Sequence, residues 1–282
     1  MHGRKAAAHG GSSFLPESRK GSGLMNLVIN AGNSNTAFGV FEEETLLSQW
    51  KVKTDSKRTA DEYALLLYQM MDMHGISPED CGGVMVCSVV PEADSFLSEA
   101  LKEHFHLPVQ FVGPGVKTGL NILYENPREV GADRITNAVA GKEKYGGPLI
   151  IIDFGTATTY CYIDEKNRYL GGAISPGMEL AAEALAHKAS KLPRVETRRA
   201  SRVIGRSTVE ALQSGFRYGF VSEVEGMIRR IQKEAGQKAA VAATGPAAEW
   251  IAEETSLIQS TDPYLTLEGL QIIYNKNNEL FS

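Results

Sequence analysis

Residues 149–160 read Leu-Ile-Ile-Ile-Asp-Phe-Gly-Thr-Ala-Thr-Thr-Tyr. Four apolar residues run into Asp153, then Phe154 and Gly155, then three threonines within four positions. A short apolar run bounded by turn residues is the pattern of a strand buried on both faces. The acid stands where such a strand leaves the core. Gly155 lets the backbone turn tightly and approach a ligand closely. Thr156, Thr158 and Thr159 add hydroxyls and N–H groups, so the stretch reads as a phosphate cradle with Asp153 placed to hold a cation.

The pattern occurs twice. Residues 27–36 read Leu-Val-Ile-Asn-Ala-Gly-Asn-Ser-Asn-Thr. Counting along both copies aligns Ile152 with Ile29, Asp153 with Asn30, Gly155 with Gly32 and Thr159 with Thr36. Each copy continues into a second apolar segment, residues 160–163 and 37–41, and then a polar turn. Two strand–turn–strand units in one chain suggest duplicated halves facing each other over a nucleotide. That plan resembles the actin-like acetate and sugar kinase superfamily. The expected fold is α/β: two duplicated actin-like (ribonuclease H-like) halves, residues 25–140 and 141–282, with a cleft between them.

Composition bounds the alternatives. A chain of 282 residues, 43% hydrophobic and 22% charged, can bury a sizeable core. A formal net charge of −5 argues against nonspecific nucleic-acid binding. No apolar run approaches the roughly 20 residues of a membrane span. Three cysteines, Cys81, Cys87 and Cys161, build neither a disulfide framework nor a four-cysteine metal site. Cys87 and Cys161 read as small buried hydrophobes, and the cytoplasm is the natural compartment. Residues 1–24 are rich in Gly, Ser and basic residues and lack the apolar segment of a secretory signal. They read as a disordered leader or added extension, with Met25 as a start; His2 and His9 fall within it.

Beyond the first motif, strand and helix alternate, as in an α/β fold. Strands are expected over residues 48–52, 83–90, 109–112 and 239–244. Helices are expected over 61–73, 94–105, 178–187, 207–233 and 247–253, with a last one ending near Tyr274. In the 178–187 helix, Leu180, Ala181, Ala184 and Leu185 are read as facing inward. In the long 207–233 helix, Val209, Leu212, Phe216, Phe220, Val224, Ile228 and Ile231 form one stripe. Gly215 and Gly219, four apart, would admit another helix or a second copy of the chain. Residues 113–119, Gly-Pro-Gly-Val-Lys-Thr-Gly, lack both the P-loop and the dinucleotide spacing and read as an ordinary loop. The glycine-rich stretch 169–177 is compatible with either a close backbone approach or a plain turn.

Residues 124–134 read Tyr-Glu-Asn-Pro-Arg-Glu-Val-Gly-Ala-Asp-Arg. Gly131 and Ala132 leave room beside Asp133 and Arg134, so a ligand could reach both charges. A solvated Asp at a helix start fits the same pattern.

Taken together, these motifs resemble the type III pantothenate kinases over about residues 25–277. They comprise residues 30–34, 126–134 and 153–159, Gly171-Gly172 through Gly177, Lys191-Leu192-Pro193, Ile204-Gly205 with Thr208, and residues 262–270. Each is weak alone, but their joint order is specific. The resemblance implies ATP-dependent phosphorylation of pantothenate, the first step of coenzyme A biosynthesis. It also implies a homodimer, Mg²⁺ with ATP, and a monovalent cation, K⁺ or NH₄⁺. By the same resemblance Asp133 is the general base. Tyr124, Gly131, Ala132, Arg134 and Thr208 contact pantothenate. Asn30, Ala31, Gly32, Asn33, Ser34, Asn35, Thr36, Ala37 and Thr156 form the ATP site, and Asp153 is the monovalent-cation ligand.

Two positions depart from the family pattern. Asn30 stands where the family carries Asp, keeping an acceptor oxygen but losing a charge. Pro246 replaces the second glycine of a Thr-Gly-Gly turn. Asn30 gives weight to an alternative, a catalytically weak relative that binds nucleotide or pantothenate and acts as a regulatory accessory protein. A phosphatase of the same superfamily is disfavoured, because Asp133-Arg134 lies in a substrate motif.

Overall fold

In the computed structural model, residues 24–281 are described; the leader reading of residues 1–24, with His2 and His9, lies outside them except for Leu24. The first half opens with three antiparallel strands, β1 (Met25–Ala31), β2 (Asn35–Glu42) and β3 (Thr45–Lys53). Helix α1 (Ala60–Met73) leads to β4 (Cys81–Ser88), and α2 (Pro91–Glu99) leads to β5 (Val109–Phe111). The sheet order is β3-β2-β1-β4-β5, with β1, β4 and β5 parallel. A short strand β6 (Asn121–Ile122) and helix α3 (Ala132–Tyr145) follow.

The second half repeats the plan. Strands β7 (Leu149–Phe154), β8 (Ala157–Ile163) and β9 (Arg168–Pro176) are antiparallel neighbours. Helices α4 (Met178–Lys188) and α5 (Thr208–Ala235) precede β10 (Ala240–Thr244). Helix α6 (Ala248–Glu254) then precedes β11 (Ser260–Thr261), and α7 (Leu265–Lys276) closes the fold. The sheet order is β11-β10-β7-β8-β9-β6.

Strand alternation explains the layering. Val28 of β1 and Ile151 of β7 point into a shared central core with α3 and α7. Leu27 and Ile29 face α1 and α2, while Ile150 and Ile152 face α5 and α6. Both sheets are therefore covered on both faces, which is why β1 and β7 read as near-continuous apolar runs. The central position of α3 shows in its burial: every residue from 134 to 141 is buried. Gly141 lets β7 pack closely there: a Cβ would stand 2.5 Å from Ile151 Cδ1 and force that side chain to shift.

Several local expectations change. Residues 168–176 form a strand, not a turn, and a side chain at Gly172 would run into the Tyr160 carbonyl of β8. The expected 94–105 helix is α2 followed by a wider π turn at Ala100–His104, and Phe96 is exposed. Leu180 and Leu185 of α4, read as inward, are 44% and 38% exposed, and Val209 of α5 is 43% exposed. Among the described residues nothing lies within 4 Å of a Cβ placed at Gly215 or Gly219, so no described helix packs against them. The 113–119 loop is docked by Asn277, which accepts from Lys117 N and donates to Lys117 O, both at 2.9 Å.

Candidate active site

The carboxyl ends of four parallel strands meet at the cleft, the usual ligand position in open α/β sheets. From the first sheet come Asn30-Ala31 of β1 and Ser88 of β4; from the second come Asp153 of β7 and Thr244 of β10. In the first turn Gly32 N donates to Asn35 O at 3.1 Å, and Thr54 N to Ser34 O at 3.1 Å. In the second, Gly155 N donates to Ala157 O at 3.1 Å, and Gly177 N to Thr156 O at 3.0 Å. Ser34 and Thr156 thus hold the same place in their hairpins. Their hydroxyl oxygens lie 3.0 Å apart, so the two turns face each other.

The register corrects the alignment made by counting. Ala37 is opposite Asn30 and Thr159 is opposite Asp153, so Thr36 corresponds to Thr158 rather than to Thr159. The first turn holds four residues, 32–35, and the second three, 155–157. A one-residue difference in the turn is invisible to counting from the strand.

Asp153 is half-buried at the end of β7. Its Oδ2 accepts from Asn137 Nδ2 at 2.9 Å. Burial, together with the negative charge of Asp133, pushes its carboxyl up to about 6, against the hydrogen bond from Asn137. Asp133 lies in the first turn of α3, half-buried rather than solvated, and its Oδ1 accepts from Arg134 N at 2.8 Å. Burial raises its carboxyl above the ordinary range, with Arg134 opposing. Its charge also acts on the Cys87 thiol, and Cys87 pairs with Asn30 across β4 and β1. Asp133 therefore stands between the ends of both sheets. Gly131 leaves the Asp133 carboxyl its place: a Cβ there would meet Asp133 Oδ1 at 2.5 Å and push that side chain aside.

Arg134 is 5% exposed, with Nε 3.4 Å from Cys161 Sγ and its guanidinium 5.8 Å from the Tyr169 ring centre. Its Nη2 is buried without a hydrogen-bond partner. A buried cation with a spare donor and, among the described residues, no carboxylate within ion-pair distance could take an anionic ligand. Tyr124 packs over Gly171, 3.4 Å from where a Cβ would sit. Thr208 starts α5, exposed, and no hydrogen bond among the described residues joins it to Asp133, Arg134 or the hairpins. Among the described residues no cluster of three His, Cys, Asp or Glu could hold a metal unaided. A cavity of about 170 Å³ lies elsewhere, between α4, α5 and residues 192–195.

Two further groups in the site are legible only in three dimensions. Asn137 and Thr266 bond to each other, Thr266 Oγ1 donating to Asn137 Oδ1 at 2.7 Å, and lie behind Asp153. The one available signal was Thr136-Asn137, a polar pair within an otherwise apolar segment.

The sequence matches the family model for type III pantothenate kinases over residues 26–230. The chain belongs to the type III pantothenate kinase family. Its fold is shared by a Baf family protein from Campylobacter jejuni, with a TM-score of 0.56 at 19% identity over 90% of this chain and 99% of that one. The ethanolamine utilization protein EutJ from Carboxydothermus hydrogenoformans gives 0.53 at 13% identity, over 88% and 89%. The activator of 2-hydroxyisocaproyl-CoA dehydratase from Clostridium difficile, solved with bound ADPNP, gives 0.52 at 12% identity, over 91% and 96%. At these identities the likeness is one of fold, the two-lobed actin-like architecture. Among the described residues of this pantothenate kinase family member, no helix is long and apolar enough to cross a membrane.

Proposed function

We propose that this chain transfers the γ-phosphoryl group of ATP to the primary hydroxyl of pantothenate, giving 4'-phosphopantothenate and ADP. The observation that carries the reading is the Ser34–Thr156 contact at 3.0 Å, which sets two hydroxyl-bearing turns against each other, the second of them following Asp153, on which the charge of Asp133 acts. Phosphoryl transfer asks mainly for alignment and charge cancellation. Residues 30–37 and Thr156 would bind the phosphates through backbone N–H groups and hydroxyls; a neighbour of the same fold was solved with ADPNP. The Arg134 guanidinium would take the pantothenate carboxylate, beside Tyr124, Gly131 and Ala132. Asp133 accepts the hydroxyl proton as that oxygen bonds to phosphorus and the bond to ADP breaks.

Asp153 fits a cation site. Its carboxylate is crowded by protein, repelled by Asp133, and has no basic partner among the described ion pairs. Mg²⁺ arriving with ATP and K⁺ or NH₄⁺, when bound, supply positive charge against the phosphates, with Asp153 and Asn30 as the protein groups beside them.

The working unit in this reading is a homodimer in the cytoplasm. Ile174, Leu180, Leu185, Val203, Ile204 and Val209 are exposed apolar residues on β9, α4, α5 and the connector before α5. Exposed apolar residues, where they adjoin, mark an interaction surface. The open space over Gly215 and Gly219 extends along α5. A second copy covering this face would also give Thr208 a role at a substrate site.

The test is a coupled assay of purified protein with ATP, Mg²⁺, K⁺ and pantothenate, and phosphopantothenate is the expected product. Nucleotide binding without product, in wild type and in Asn30→Asp alike, would overturn the reading. It would favour instead a regulatory accessory protein, the alternative that Asn30 supports.

A further inference from the structure

Residues 262–270 form a motif that the proposed chemistry does not use. The structure shows what they do: they fix the crossing of α7 on α3. Asp262 Oδ1 accepts from Tyr264 N at 3.0 Å, and its Oδ2 pairs with Lys144 of α3, which also reaches Glu268. Gly269 lies against the Thr136 carbonyl, where any side chain would collide. The other side of α7 packs on β1, β2 and β4 of the first sheet. This crossing brings Thr266 to Asn137.

Asn137 is 2% exposed, and its amide has two unlike ends. Oδ1 accepts from Thr266 Oγ1 at 2.7 Å, and Nδ2 donates to Asp153 Oδ2 at 2.9 Å. The ionised carboxylate of Asp153 can only accept, and so decides which end of the amide faces it. The Thr266 hydroxyl tethers the other end, and without it Asn137 Oδ1 loses its donor and the amide is no longer held in place behind Asp153. With Oδ2 tied, Asp153 Oδ1 is turned toward the Gly155 and Gly245 turns. It stands 3.8 Å and 2.9 Å from where their Cβ atoms would be.

We infer that Thr266 and Asn137 are positioning residues, which hold Asp153 with Oδ1 presented to a monovalent cation between the two glycine turns. The inference rests on the reading of Asp153 as the cation ligand. It further means that a helix seated on the first sheet aims a carboxylate of the second.

The experiment titrates the full-length protein with KCl, at ionic strength held constant with a large organic cation. It reads the rise in Tm without nucleotide and, separately, the K⁺ concentration giving half-maximal rate. Groups behind a metal ligand typically contribute about 10- to 100-fold to metal affinity. Thr266→Val is expected to raise both half-saturation values about tenfold, with pantothenate KM within about twofold of wild type. Thr266→Ser, which keeps the hydroxyl, should restore them. Asp153→Asn, run alongside, should lose the K⁺ response. A Thr266→Val protein with a lowered Tm but unchanged K⁺ half-saturation would overturn the inference and leave the Asp153 reading intact. A normal K⁺ response in Asp153→Asn, or none in wild type, would overturn both.

Discussion

The two hairpins share a topology and differ in what holds them. In the first, Thr54 Oγ1 donates to Gly32 O at 2.6 Å and meets Thr36 Oγ1 at 2.9 Å. In the second, Gly177 occupies the place of Thr54. A side chain there would collide with Gly155 O and come within 2.6 Å of Thr156 O. The shorter turn leaves no room for a hydroxyl lock, and buried Thr158, the counterpart of Thr36, has no partner for its Oγ1. The first hairpin carries a neutral amide at its strand end, the second a carboxylate. Duplication supplied two equal frames; one became a hydroxyl-locked turn, the other a tight turn carrying the charge.

The largest expected effect comes from erasing that difference in charge. Asp153→Asn makes the second hairpin resemble the first and should lower kcat by about 10³, roughly 4 kcal/mol at the effective dielectric of a surface cleft. Steady-state kinetics at saturating ATP, Mg²⁺ and K⁺ would check it. A loss under threefold would show that the hairpins do not divide their work by charge.

The same residue gives a pH signature. The Asp153 carboxyl is raised in the folded chain to about 6, against an ordinary value of 3.8. A raised carboxyl favours the fold while protonated. Its contribution is therefore complete below the unfolded value and is lost as pH rises through about 6. Without cations the loss by neutral pH is about 3 kcal/mol. Comparing Tm from pH 4.5 to 7.5 isolates it: Asp153→Asn should lack this component, and K⁺ should offset it in wild type. Parallel curves for the two proteins would assign the pH dependence to other groups.

Restoring charge to the first hairpin is the converse change. Asn30→Asp should raise kcat about 10- to 100-fold, the return of part of an ion-pair energy of about 4 kcal/mol. Unchanged kinetics would mean that the amide already does what the first hairpin requires.

How far the residues announced all this depends on which face they serve. β1 and β7 were legible because strands covered on both sides must be apolar throughout, and the turns because Gly32 and Gly155 interrupt them. The strand at 168–176 was obscured by Gly171 and Gly172, since glycine normally weakens a strand; here Gly172 allows close approach to β8, and Gly171, at φ +122°, lies under Tyr124. Leu180 and Leu185 were read as inward, and Val209 as part of one stripe, because helical periodicity reports an apolar face and not what covers it. Asp133 and Arg134 could be picked out by their small neighbours, but the burial of Arg134 and its spare donor could not. Asn137 and Thr266 are 129 residues apart, and only the α3–α7 crossing joins them.

The smallest effect tests the lock itself. Thr54→Val keeps the shape of the side chain but removes the donor to Gly32 O and strands the Thr36 hydroxyl, as Thr158 is stranded in the other hairpin. Loss of one such hydrogen bond costs about 1 kcal/mol, with up to about 1–3 more where the remaining group stays unsatisfied. Because the second hairpin already tolerates an unpaired threonine, the lower end is expected: about 1 kcal/mol by urea unfolding. Thr54 is one of the groups that hold the 32–35 turn, beside the Ser34–Thr156 contact, so ATP KM should rise a few-fold while kcat stays within about twofold. A kcat loss as large as that of Asp153→Asn would mean that Thr54 does more than hold the turn, and the contrast between a lock and a charged site would fail.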